Sequence, residues 1–375
     1  MAGIYIHIPF CKQACHYCDF HFSTSLKKKD EMIDALIREI ELRKNEIQEP
    51  VETIYFGGGT PSVLTNAEID KILAQIFNLF TVVPNPEITL EANPDDLNEK
   101  RIISLAQSKI NRLSIGIQSF FEDDLKLMNR AHNAAEALQC LQIATQYFNN
   151  ISIDLIYGIP NMSLEKWDAN VQTALSLNIP HISSYALTVE PRTALATLIK
   201  KGKIDNTDDA VAHEHFLHLV KTLENQGYIH YELSNFSKPD YFSKNNSAYW
   251  LGKKYLAIGP SAHSFNGTDR SWNVANNSLY IQQIQANILP NEVEVLTKQD
   301  RYNEYIMTGL RTIWGVDLPR IEAEFGADYL AYVKTNAAPF IAQNKLVIEN
   351  NVLKTTLQGK FFCDGIASEL FRINE

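Results

Sequence analysis

Three cysteines crowd into eight residues near the amino end, Cys11, Cys15 and Cys18, with the spacing C-x3-C-x2-C. Thiolates are soft ligands suited to zinc or to iron–sulfur clusters, and three of them on one loop can surround a single cluster. A structural zinc site wants four tight ligands, usually two pairs from separated segments, and His16 or His21 stands near enough in sequence to complete one. No second pair follows. Cys140 sits in a helical stretch among apolar neighbours, where an inert buried thiol is expected, and Cys363 stands alone. Ligand number and softness favour the cluster. Three thiolates on a four-iron cube leave one iron open, and an open iron can take a small molecule directly.

Further polar residues recur at regular intervals. Gly57-Gly58-Gly59-Thr60 is a loop in which backbone groups can approach a ligand with no Cβ in the way. Glu91, Gln118, Arg130 and Asp154 supply carboxylates, an amide and a guanidinium that can pair with charged or hydroxyl groups. Taken singly, a glycine triplet is most often a turn, and an Arg or Asp is most often a solvated surface residue. Their joint position is what argues for a site.

That position follows from the apolar periodicity. Strands are expected at 4–8, 53–56, 87–90, 112–117, 151–156, 181–187 and 229–233. Helices are expected at 29–47, 66–80, 99–107, 134–147 and 164–177. Such alternation implies parallel strands covered by helices, either as an open doubly wound sheet or as a (β/α) barrel. Polar or glycine-rich clusters follow the first four strands at their carboxyl ends, the arrangement at the top face of a barrel. From Pro239 to Asn277 the chain turns to loops rich in Asn, Ser, Gly and aromatics, and a helical run from Arg301 to Arg311 opens a small helical or winged unit ending near Phe371. The expected divisions are 1–235 for the barrel, 236–295 for a loop-rich extension and 296–375 for a C-terminal domain.

The chain has 375 residues, room for two to three domains, with 45% apolar and 21% charged residues, which excludes fibrous and disordered classes. Its 34 Lys and Arg against 44 Asp and Glu give a formal charge of −10, a poor start for gripping nucleic acid. Five cysteines in such a length do not make a disulfide scaffold. The first residues alternate like a strand and lack the parts of an export signal, and no apolar run is long enough to span a membrane, so a reducing, cytoplasmic setting is expected. The acidic surface leaves room for a homodimer patch.

Tyr5-Ile6-His7-Ile8-Pro9-Phe10-Cys11, the cysteine triplet, Gly57-Gly58-Gly59-Thr60-Pro61, Gln118-Ser119 and Asp154-Leu155-Ile156-Tyr157-Gly158-Ile159-Pro160 resemble the radical S-adenosylmethionine (SAM) superfamily. More narrowly they resemble its HemN/HemW branch, which holds oxygen-independent coproporphyrinogen III oxidases and haem chaperones. The resemblance covers nearly the whole chain. It implies an α/β fold, a partial (β/α)6 barrel of radical SAM type with a small C-terminal domain, and a 4Fe-4S cluster on Cys11, Cys15 and Cys18. It also implies SAM at the open iron, with Tyr5, Tyr17, Gly58, Gly59, Thr60, Glu91, Gln118, Arg130, Asp154, Ala186 and His263 around it.

Within the branch, the oxidase pattern carries a fourth cysteine where this chain has Phe20, and it has a longer segment before the first strand than Met1-Ala2-Gly3. Both departures, with Tyr231 to Phe236 and Gly259 to Ser264, favour the HemW side. That implies a protein that carries haem as cargo to membrane respiratory haem enzymes, peripheral at the membrane when delivering. The other reading is an enzyme of the HemN type, a coproporphyrinogen III dehydrogenase or a related methyltransferase. The haem-associated signature His-Asn-x-x-Tyr-Trp appears as Asn245-Asn246-Ser247-Ala248-Tyr249-Trp250. Asn246, Tyr249 and Trp250 are the expected haem-facing residues, although simple packing of the two aromatics against the barrel is as good a reading. A carboxamide is a poor iron ligand, so restoring histidine at Asn245 is expected to raise haem affinity. His213, His215 and His218 are expected on the surface of an amphipathic helix, since Leu217 holds the i+4 position of His213.

Overall fold

The computed structural model describes residues 1–373. The first half alternates strand and helix: β1 (Ala2–Ile8), α1 (Lys29–Leu42), β2 (Val51–Gly58), α2 (Asn66–Leu79), β3 (Val82–Ala92), α3 (Glu99–Ala106) and β4 (Arg112–Gln118). It continues with α4 (Glu122–Leu127), α5 (Ala134–Tyr147), β5 (Ile151–Tyr157), α6 (Leu164–Ser176), β6 (His181–Ala186), α7 (Ala194–Lys200) and α8 (Asp209–Asn225). Strands β1 to β6 are parallel and adjacent in chain order, the partial barrel expected.

The periodicity of two explains how this sheet carries a site. Ile4, Ile6 and Ile8 are buried in the hydrophobic core with Met32, Leu36 and Ile40 of α1, while the intervening Tyr5 and His7 turn to the other face. Tyr55, Glu91, Arg112 and Asp154 follow the same alternation in β2 to β5, so the lumen is polar and the outer layer oily. Side-chain caps start the helices where expected: Thr65 with Glu68 ahead of α2 and Asn133 with Glu136 ahead of α5 form reciprocal capping boxes.

Three expectations change. Helix α1 ends at Leu42 and not near Ile47, because Arg43 turns inward to Glu39 and the carbonyl of Ala257. The strand at 229–233 does not extend the parallel set. β7 (Ile229–Glu232) forms a hairpin with β8 (Asn235–Ser237), and β8 pairs antiparallel with β6, since a two-residue connection is too short for a crossover. The segment expected to be loops contributes α9 (Lys244–Trp250), β9 (Tyr255–Ile258), β10 (His263–Phe265), β11 (Asp269–Asn273), α10 (Asn277–Gln285) and β12 (Asn291–Val295). β9 runs parallel to β1 and leads the sheet through β10 and β11 to its far edge at β12. Strands of three to five residues are too short to carry a visible period.

The C-terminal unit comprises α11 (Lys298–Leu310), β13 (Val316–Asp317), α12 (Leu318–Phe325), α13 (Ala327–Ala342), β14 (Leu346–Glu349), β15 (Val352–Thr355), α14 (Leu357–Lys360) and α15 (Cys363–Glu369) around its own core. Bonds from Leu233 N–H to Arg311 C=O and from Ile313 N–H to Tyr231 C=O tie it to the β7 corner. The last two residues of the C-terminal segment lie outside the described residues.

A buried carboxylate joins the added strands to the barrel. Glu39 of α1 pairs with Arg43 at 3.1 Å and accepts from Gly259 N–H at 2.8 Å, from Asn273 Nδ2 at 2.7 Å and from the Tyr280 hydroxyl. Glu39→Ala strips four partners of their acceptor. It is expected to lower the unfolding free energy by about 3–5 kcal/mol, read as a fall in the denaturant midpoint; an unchanged midpoint would contradict the role assigned to this network.

Candidate functional site

The loop after β1 is closed by its own ladder. Cys11 N–H bonds Ser23 C=O at 3.1 Å and Ser23 N–H bonds Pro9 C=O at 2.9 Å. It is clipped to the turn after α4 by His16 N–H to Met128 C=O at 3.0 Å, His16 Nδ1 to Leu127 C=O at 2.8 Å and Asn129 Nδ2 to Ala14 C=O at 2.7 Å. The loop after β2 is joined to it through Gly59 N–H to Ile8 C=O at 2.9 Å and Thr60 N–H to Phe10 C=O at 2.7 Å. A Cβ at Gly59 would lie 2.7 Å from the Phe10 carbonyl oxygen, so only glycine fits there.

Arg130, from the same turn after α4, is the hub. Its Nη1 lies 3.3 Å from Cys15 Sγ and 3.5 Å from the Tyr17 hydroxyl, and its Nη2 donates to Asn93 Oδ1 at 2.8 Å and to Gly116 C=O at 2.7 Å. One guanidinium thus gathers the cysteine loop and the ends of β3 and β4. Its Nε is buried with no acceptor among the described residues. Burial pushes the Cys11 thiol up to about 11 although Thr60 hydrogen-bonds it. Thiols in such a place ionise when a metal takes the proton's position. All five cysteines are free, and no group of three or more His, Cys, Asp or Glu among the described residues converges closely enough to hold one metal ion. His16 and His21 each commit a ring nitrogen elsewhere, His21 to Asn277. A cluster distributes its irons and needs no convergence of thiols on a point, so three thiols on one loop with a cation beside them fit it better than zinc.

Next to this loop, Glu91 at the end of β3 accepts from the Tyr55 hydroxyl at 2.7 Å and from Gly58 N–H at 3.2 Å. Gly58 takes φ +107° and a Cβ there would strike the His7 ring. His7 Nε2–H donates to His21 C=O at 3.0 Å, which leaves Nδ1 facing the Tyr5 hydroxyl at 3.3 Å. Tyr5 stacks on Tyr55 at 6.0 Å. Burial raises Glu91 to about 7 and Asp154 to about 6; Arg112 pulls both back down, as Arg130 also does for Asp154. Gln118 holds φ +68° just past an irregularity in β4 that aims the strand end inward. Ala186 closes β6 in register with Tyr157.

Of the residues expected around SAM, the structure joins Tyr17 to Arg130 and Gly58 to Glu91 by direct contact, Tyr5 to Glu91 through Tyr55, and Thr60 to the hub through Asn93. Gln118, Asp154 and Ala186 stand on neighbouring strands of the same rim. His263 is exposed on β10, stacked on Trp272 at 5.9 Å and near enough to His7 to lower that ring's pKa by charge. In the Asn245–Trp250 segment, Tyr249 and Trp250 face a cleft against the C-terminal unit, and Asn246 is not part of its wall. Asn245 is buried, accepting from Thr53 Oγ1 at 3.3 Å beside Gly3. It is not itself part of that cleft's wall, although its side chain acts on the neighbouring Tyr249 hydroxyl. His215 is corrected: it is buried, accepts from Gly158 N–H at 3.2 Å and stacks on Trp167. Tyr55 and Arg112 were not singled out beforehand, and Asn93 only as part of the polar cluster after the third strand. Arg112 and Tyr55 were findable, since alternation along their strands assigns both to the polar face.

Residues 5–174 match the radical SAM superfamily and residues 296–362 match the HemN C-terminal domain. The solved structure of Escherichia coli coproporphyrinogen III oxidase (HemN), a radical SAM enzyme, superposes with a TM-score of 0.85 at 24% identity over 99% of this chain and 90% of that one. Fold and rim thus define a radical SAM protein. Among curated relatives, the heme chaperone HemW of Bacillus subtilis is 34% identical over 87% of both chains. Those of Lactococcus lactis (32%, over 95% of this chain and 93% of that one) and Haemophilus influenzae (33%, over 100% and 98%) match over nearly the full length. The chain belongs to the radical SAM superfamily and, within it, to the HemW family.

The carboxylate at 91 yields a signed pH effect. With its pKa raised on folding, the folded state holds the proton more tightly than the unfolded one, so ionising Glu91 costs stability as pH rises from the ordinary carboxylate range through about 7. Glu91→Gln removes that cost. The stability of the variant relative to the parent is expected to rise between pH about 5 and pH about 8, measured by denaturant titration at each pH; a difference independent of pH would contradict it.

Proposed function

We propose that the chain is a haem chaperone of the HemW type that carries a 4Fe-4S cluster on Cys11, Cys15 and Cys18, binds SAM at the strand-end rim and passes haem to membrane respiratory haem enzymes. The observation that carries this reading is similarity at 32–34% identity, over 87–100% of the chain, to relatives named heme chaperone HemW. At the site, Arg130 holds the cysteine loop against β3 and β4 and offers a guanidinium to a carboxylate. Glu91, fixed by Tyr55 and Gly58, offers an anion to an ammonium group. Gln118, Asp154 and the Gly58-Gly59-Thr60 backbone are suited to the remaining polar atoms of SAM, with Tyr5, Tyr17, Ala186 and His263 beside them. When bound, the cluster supplies a single electron to a sulfonium ligand; the residues here bind, orient and shelter that ligand. No helix among the described residues is long and apolar enough to cross a membrane, which accords with a cytoplasmic carrier that meets the membrane only on delivery, as single chain or homodimer. The divisions 1–235, 236–295 and 296–375 are kept only as working units for function, since the first boundary falls within β8 and the middle segment shares its sheet and core with the first.

The enzymatic reading, a HemN-type dehydrogenase or methyltransferase, draws on the shared fold. Against the dehydrogenase stands Phe20, 69% exposed beside the cysteine loop, an apolar ring where that pattern has a thiol. Anaerobically reconstituted protein with dithionite and SAM is expected to bind haem with a Soret shift and to leave coproporphyrinogen III unchanged. Protoporphyrinogen formation, or haem titration without any Soret change, would contradict the proposal.

A further inference from the structure

The loop that carries the three cysteines is held by a second cation besides Arg130. Lys12, directly after Cys11, forms an ion pair with Asp96, and its ammonium also lies 3.4 Å from Asp95. Both carboxylates belong to the short turn Pro94–Asp96 that follows β3. The pair is lopsided in burial: the lysine side chain is 48% exposed and that of Asp96 is 3% exposed. Solvent thus screens the cation and barely reaches the anion.

From Asp96 the contacts run back to the cysteine loop by another way. Asp96 accepts from the Ser62 hydroxyl at 2.6 Å, and Ser62 Oγ accepts from Asn93 N–H at 3.2 Å. Asn93 Oδ1 accepts from Arg130 Nη2 at 2.8 Å, and Arg130 Nη1 stands 3.3 Å from Cys15 Sγ. A ring of polar contacts therefore leaves the loop beside Cys11 and returns to it at Cys15, with a cation at each end.

Stability alone is a weak account of the lysine, because an ion pair with one member so exposed contributes little. Its charge has a clearer use. Without Lys12, Asp96 is a buried carboxylate whose one remaining partner is a neutral hydroxyl, a costly arrangement. Arg101, the next cation, spends its donors on Asn66 and on the carbonyl of Leu64. The pair lies one lysine length from Cys11, inside the roughly 8–10 Å over which charge acts at ordinary ionic strength. A four-iron cluster becomes one unit more negative when it takes an electron from an external one-electron donor, and nearby charge sets how readily it does so. An uncompensated anion at Asp96 opposes that electron, and a cation held against it removes the opposition.

We propose that Lys12 is a positioning residue for the cluster that acts in two ways: it ties the cysteine loop to the turn after β3, and it neutralises Asp96 so that the cluster stays reducible. The inference rests on the iron–sulfur reading of Cys11, Cys15 and Cys18 and adds to it a residue that sets the ease of reduction. Lys12 makes no bond to the metal and transfers no proton. Removing either partner loosens the same tether, yet one removal strips a positive charge and the other a negative one. A purely structural contact gives the same outcome from both, whereas a charge effect gives opposite outcomes.

Anaerobically reconstituted full-length protein is poised at a series of potentials with dithionite and mediators, and the reduced cluster is counted by its electron paramagnetic resonance signal. At a fixed potential, Lys12→Gln is expected to lower the ratio of reduced to oxidised cluster about threefold, and Asp96→Asn, which keeps an oxygen for Ser62, to raise it about tenfold because that charge is the less screened. Lys12→Arg is expected to match the parent. Loss of the cluster to a chelator is expected to be faster than in the parent for both Lys12→Gln and Asp96→Asn, and unchanged for Lys12→Arg. Shifts of the same sign in the two charge-removing variants, or a shift in neither, overturn the proposal and leave the cluster reading standing. Should Asp96→Asn retain no cluster, Lys12→Gln against Lys12→Arg decides alone, equal ratios overturning the proposal. A parent protein without iron and sulfide brings down the cluster reading, and this inference with it.

Discussion

Two backbone hydrogen bonds underlie the site: Gly59 N–H to Ile8 C=O and Thr60 N–H to Phe10 C=O. They extend the pairing of β1 and β2 beyond the strands, so that the cysteine loop and the glycine loop leave the barrel as one body. The absence of a Cβ at Gly59 is what permits this approach, since both carbonyl oxygens would lie within 2.8 Å of it. Arg130 then fastens the joined loops to the third and fourth strands. A cation beside three ionisable sulfurs also lessens the cost of gathering negative charge in a buried place. Position and electrostatics are supplied by the same side chain.

The lumen beneath is built on the strand period. Outward isoleucines bury against helices, each contributing roughly 1.5–3 kcal/mol, and the alternate positions are left free to be polar. That freedom is used by Tyr5, Tyr55, Glu91, Arg112 and Asp154. The resulting carboxylates are held above their usual range by burial, with Arg112 opposing, so their ionised forms gain from a cation placed beside them. Such a pocket favours a ligand that brings its own positive charge.

How much of this was legible in sequence depends on range. Strands β1 to β6 and helices such as α5 are long enough for their periods to be read, and the range read for α5, 134–147, matches the structure. Cysteine spacing and the strand-end clusters gave the rim without any coordinates. Pairing direction was not legible: β7 looked like another member of the parallel set, and only the two-residue link to β8 betrays a hairpin. Short strands β9 to β12 were invisible for want of period. Side-chain direction failed at His215, judged from helical spacing, because burial of a polar side chain depends on partners such as Gly158 that lie far away in the chain.

The central claim is that Cys11, Cys15 and Cys18, with Arg130 beside them, hold an iron–sulfur cube. Iron and acid-labile sulfide determined on anaerobically reconstituted protein test it most directly, with Cys15→Ala and Cys140→Ala carried in parallel. The account requires about four irons and four sulfides per chain in the parent and in Cys140→Ala, and their loss in Cys15→Ala. Zinc without sulfide in the parent, or equal loss in both variants, would contradict it.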